Sequence, residues 1–136
     1  MDSFMKEYVE SAYNKARIIM SVIDDIGMSL LRRCRGALES DGKHQIVCQL
    51  SPLTNLLDKR EKRYKNDDNV MEGLYVWRTI IDSALSGSVC PVPYIDMKRY
   101  KTKKGSIVRI KNAQLTAADD LHIVVSFDVE TEKKEA

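Results

Sequence analysis

The stretch SALSGSVCPVP, residues 83–93, is where one periodicity ends and another begins. Before it, apolar residues recur at helical spacing: Leu53, Leu56, Leu57, Tyr64, Val70, Met71, Leu74, Trp77, Ile81 and Ala84. After it, Pro91 and Pro93 forbid a helix, and the chain turns rich in Val, Ile, Tyr and Thr. Strands are expected over 94–102, 106–111 and 121–130. In the last of these, Leu121, Ile123, Val125, Phe127 and Val129 share one face, and His122, Ser126 and Asp128 share the other. Between the second and third, Ala113–Asp120 is expected to form a short helical turn, and 131–136 a frayed tail.

Working back from Gly87, Ser51 followed by Pro52 starts a helix, because proline at the first helical position loses only a hydrogen bond that had no partner. Its middle, KREKRYKNDDN, is nearly all polar, and a break or kink is expected at 66–69 with Asp67 or Asp68 as the new cap. KHQIVCQL, 43–50, reads as a short strand. The first segment carries Met5, Val9, Ala12, Ala16, Ile19, Ile23, Ile26 and Leu30 in steps of four and three, an unbroken a/d row. Asp2 or Ser3 caps it, Gly27 is a candidate kink, and it should end near Glu39. A second row, Ile18, Val22, Leu31 and Cys34, makes the stripe too wide for one neighbour.

The fold that follows is α+β: two long amphipathic helices with a short strand between them, then a small antiparallel sheet. A single domain spans 1–136, helical over 1–87 and β-rich over 88–130. Two helices alone cannot cover so wide a stripe, so the sheet or a second copy must. Self-association is expected along Val9, Ala16, Ile19, Ile23, Ile26 and Leu30.

The chain has 136 residues, 43% hydrophobic and 31% charged, which excludes disordered and collagen-like classes. No stretch reaches the roughly 18 apolar residues of a membrane span. The N-terminus lacks the basic-then-apolar layout of a signal peptide, so a cytoplasmic protein with no membrane partner is expected. Cys34, Cys48 and Cys90 are odd in number and widely spaced, which fits free buried thiols better than a disulfide framework. Cys34, among three arginines, is the one candidate for a reactive thiol.

The 22 bases and 20 acids nearly cancel, yet they are unevenly placed. Asp96–Lys111 holds seven bases and one acid, whereas 112–136 holds two bases and six acids. Gly105 marks a tight turn. A three-residue loop, Lys103–Lys104–Gly105, pairs Thr102 with Ser106 and Arg99 with Arg109. Tyr100, Val108 and Ile110 then share one face, while Arg99, Lys101, Ile107, Arg109 and Lys111 share the other. Such a ribbon suits phosphate contact through Arg99, Lys101, Lys103, Lys104, Arg109 and Lys111, with Tyr100 close enough to stack on a base. The competing readings are an edge hairpin whose lysines prevent aggregation, or a ribbon neutralised by the acidic tail. The run Lys59–Lys65, interleaved with acids, reads as a solvated face with i,i+4 pairs, and Arg32, Arg33 and Arg35 as helix-end charges favoured by the dipole.

Catalytic patterns are missing. His44 and His122 have no metal-ligand spacing, and there is no phosphate-binding loop or nucleophile elbow. The individual motifs are all generic. The expectation is a non-enzymatic, oligomeric binding protein without metal or cofactor that contacts nucleic acid through the basic hairpin. The alternative is an adaptor or inhibitor docking on a protein partner with its helices and hairpin.

Overall fold

A computed structural model describes residues 2–92 and 99–132, and the fold is α+β. Helix α1 (Ser3–Arg32) is capped by Asp2, whose carboxylate accepts from Met5 N at 2.8 Å. It runs unbroken through Gly27, which is buried, and ends earlier than the turn residues suggested. A 3-10 turn, Arg35–Glu39, carries the chain on to strand β1 (Gly42–Gln49). Helix α2 (Ser51–Arg63) has Pro52 in its first turn. The expected second helix is therefore two, because Asp67 takes the cap of α3 (Asp68–Leu85) and accepts from Val70 N at 3.2 Å. Asn and Asp are better at ends than in the middle of a helix, and the chain divides where they cluster.

Four further strands follow: β2 (Cys90–Pro91), β3 (Arg99–Lys101), β4 (Ile107–Ala117) and β5 (His122–Thr131). Of the strand expected at 94–102, residues 94–98 lie outside the described residues. The sheet is antiparallel in the order β1-β5-β4-β2, with β3 also on β4. The turn expected over 113–120 is a correction: β4 continues to Ala117, and only Ala118–Asp120 bends. What allows this is a bulge between Lys111 and Gln114, with Asn112 at φ 57°, which restores the inward–outward alternation beyond it. Leu115 thereby reaches the core.

The three α-helices among the described residues lie on one face of the sheet, and the buried side chains form one cluster. Trp77 and Leu57 are fully enclosed in it, with Phe127, Ile110, Leu115 and Ile123 from the sheet. Trp77 Nε1 donates to Ile23 O at 2.8 Å, tying α3 to α1. Gly73 gives the two helices their close approach, since a Cβ there would sit 2.8 Å from Val22 Cβ. No described residue covers the opposite sheet face, which is mostly polar, with Lys43, Asp128 and Lys111 in one cross-strand row. No described helix is long and apolar enough to cross a membrane.

Candidate nucleic-acid interface

The hairpin takes the register its loop length demands. Arg99 pairs with Arg109, Tyr100 with Val108 and Lys101 with Ile107. Thr102 N donates to Ser106 O at 2.8 Å, and Gly105 closes the loop at φ 84°, a conformation costly for any residue with a Cβ. Tyr100, Val108 and Ile110 face the core, and the basic side chains of β3 and β4 face out.

That separation moves Tyr100 away from the stacking role. Its ring is half-buried against the core, and its hydroxyl donates to Met28 Sδ at 2.8 Å. Burial, helped by the charge of Asp24, pushes the phenol up to about 12. On the outer face the acidic tail reaches the ribbon within the same molecule. Glu132 bridges Arg99 at 2.6 Å and Arg109 at 3.3 Å, and Glu130 meets Lys111 at 2.5 Å. The hydrogen bond from Arg99, aided by the charges of both arginines, holds the Glu132 carboxyl below the usual range. Residues 131 and 132, expected to fray, are thus fastened: Thr131 N also donates to Asp41 Oδ1 at 3.0 Å. Three of the six expected phosphate contacts already hold carboxylates.

The other three do not. Lys101, Lys103 and Lys104 are exposed at the hairpin tip and form no ion pair with a described residue. The tip lies against the 3-10 turn, where Lys103 N donates to Glu39 Oε1 at 3.0 Å, while Tyr100 is the hairpin residue that meets α1, at Met28. Beside this tyrosine, Arg32 and Arg35, both exposed and unpaired among the described residues, border a slot of about 230 Å³ floored by Met28, Leu31, Leu38 and Tyr100. Sequence reasoning gave these arginines only a helix-dipole role. They stand more than sixty residues from the hairpin, so nothing local could have joined them to it.

Some of the remaining charges pair between elements. The Lys59–Lys65 run does not pair within its own helix as expected. Arg60 meets Asp25 of α1 at 3.3 Å, and Arg78 of α3 is clamped by Glu61 at 2.6 Å and by Asp58. Glu61 above all raises the Arg78 guanidinium further. His122 Nδ1 lies 2.9 Å from Asp119, whose carboxyl the imidazole holds low. Cys34, Cys48 and Cys90 are free and buried. Burial above all, with the neighbouring Cys48 thiol, pushes Cys34 up to about 12, so Arg33 does not make it a nucleophile. Among the described residues no group of three His, Cys, Asp or Glu side chains could hold a metal.

The expected self-association row is divided. Ile23, Ile26 and Leu30 are buried in the chain's own core, and Ile19 packs against it, because α3 and the sheet cover this end of α1. Val9 and Ala16 are exposed. No family model matches the chain, and no curated protein or solved structure is significantly similar to it.

Proposed function

We propose that this protein is a non-enzymatic binding protein that contacts the phosphate backbone of nucleic acid. The contact surface is the tip of the β3–β4 hairpin together with the end of α1. The observation that carries this reading is that Arg32 and Arg35 border a slot shared with Tyr100 of β3, while Lys101, Lys103 and Lys104 stand on the hairpin that Glu39 holds through Lys103 N, all five without an ion pair to a described residue. Positive side chains left without carboxylate partners have their full charge available to displace counterions from phosphates. Arg99, Arg109 and Lys111 contribute less, since each would have to exchange a carboxylate for a phosphate.

A gel-shift titration of random duplex DNA and single-stranded RNA, from low to physiological salt, tests it. Lys101→Gln with Lys103→Gln and Lys104→Gln is expected to weaken binding to all sequences alike. The log–log salt slope should flatten by roughly 0.7 to 0.9 for each phosphate left without its base. Arg32→Gln with Arg35→Gln should do the same, and Arg99→Gln with Arg109→Gln should do less. No retardation at low salt ends this reading and leaves the protein-adaptor class.

A further inference from the structure

Among the described residues, the N-terminal half of α1 meets little of its own chain. Every residue from Asp2 to Ile18 is exposed. Phe4, Met5, Tyr8, Val9 and Tyr13 keep between 47% and 74% of their surface in water. These are not scattered side chains: Met5, Val9, Ala12 and Ala16 run in steps of four and three into Ile19 and Ile23, where the same helix face enters the core. A helix half of this length is marginal alone in water, and a contiguous apolar patch on it marks an interface.

We propose that this half of α1 pairs with the same half of a second copy of the chain, antiparallel about a two-fold axis near Ala12. Charge order supports both the partner and its direction. Residues 2–10 carry Asp2, Glu7 and Glu10 against Lys6, while residues 11–18 carry Lys15 and Arg17 and no acid. An antiparallel pair sets the acidic part of each helix beside the basic part of the other. A parallel pair sets like beside like. Lys15 is also 3.9 Å from Glu72, an exposed contact too long to compete strongly. Ala12 and Ala16 leave room for close approach at the centre, with aromatic side chains on either flank.

The area agrees with this occupant. Three aromatic side chains of about 150–250 Å² each, exposed by half or more, with Met5 and Val9 give on the order of 500 Å² per copy. Two copies together reach roughly 1,000 Å², the lower bound of a specific interface. The antiparallel arrangement also keeps the two folded bodies at opposite ends of the pair. It does not rest on the nucleic-acid reading, and either can fail without the other.

Sedimentation equilibrium of the full chain across the micromolar range tests the proposal. The parent is expected to be a dimer. Val9→Glu with Ala16→Glu is expected to be a monomer with an unchanged near-ultraviolet signal from buried Trp77, since both positions lie outside the core. Direction is tested separately, in the presence of copper–phenanthroline as oxidant. Ala12→Cys should cross-link between copies, whereas Met5→Cys, about 20 Å from its counterpart at 1.5 Å per residue, should not. A monomeric parent, or a dimer indifferent to Val9→Glu and Ala16→Glu, overturns the pairing. Cross-linking at Met5→Cys without cross-linking at Ala12→Cys overturns the antiparallel arrangement.

Discussion

Gly73 shows how one missing side chain positions two helices. A Cβ built there meets Val22 Cβ at 2.8 Å, Val22 Cγ1 at 2.9 Å and Ile19 O at 3.1 Å. Neither a Cβ nor a backbone carbonyl can swing aside as a long side chain would. Gly73→Ala gains about 1 kcal/mol of helix propensity. Overpacking costs about 1–3 kcal/mol, so the expected outcome is net destabilisation, read as a lower urea midpoint. Cys34 makes a second residue-scale case. With its thiol pushed up to about 12, almost no thiolate exists at neutral pH. A colorimetric thiol assay should find it unreactive in the native state and reactive once the chain is unfolded in denaturant.

The hairpin is an element whose charge is set by its neighbour. Glu130 and Glu132 of the β5 end hold Lys111, Arg99 and Arg109, so removing the two carboxylates unmasks three bases. Glu130→Gln with Glu132→Gln is expected to tighten nucleic-acid binding and steepen its salt dependence, by roughly 0.7 to 0.9 in slope for each base that gains a phosphate. The same ion pairs predict a pH response. The folded-state carboxyl of Glu132 titrates below its unfolded value of 4.5, so its stabilisation is present above that value and lost as pH falls through the folded one. An NMR titration should find that depressed midpoint, and Arg99→Gln should raise it. At the break between α2 and α3, Asp67→Ala removes the cap on Val70 N and should cost about 1 kcal/mol in chemical unfolding.

For the whole molecule, total charge is a poor guide to partners. The formal net charge is +2, yet the outer sheet face carries paired charges while the hairpin tip and the end of α1 carry charges with no ion pair among the described residues. The apolar surface is equally uneven, with one helix buried at its C-terminal end and bare at the other. Hydrogen exchange should follow that division. In the Val9→Glu, Ala16→Glu chain, amides of residues 6–18 are expected to exchange much faster than those of 23–32, because only the latter are protected by packing.

Features governed by near neighbours were legible in the residues themselves. The hairpin register follows from loop length and the two-residue period of a strand. The Asp67 cap follows from the side-chain chemistry of Asp, and the inward row Ile123, Val125, Phe127 and Val129 of β5 from its alternation, although Leu121, expected in that row, precedes the strand and is exposed. Features governed by distant neighbours were not. The a/d row of α1 identifies an apolar face but not what lies against it, so Ile23, Ile26 and Leu30 read the same as Val9 and Ala16 until α3 and the sheet are in place. Residues 113–117 lack a strong strand pattern of their own, and β5 and the Asn112 bulge impose one. The functional charges divide the same way. Folding brings Glu132 to Arg99 and Tyr100 of the hairpin to Arg32 and Arg35, because a side chain's free charge depends on what lies within a few ångströms in space, which spacing along the chain does not record.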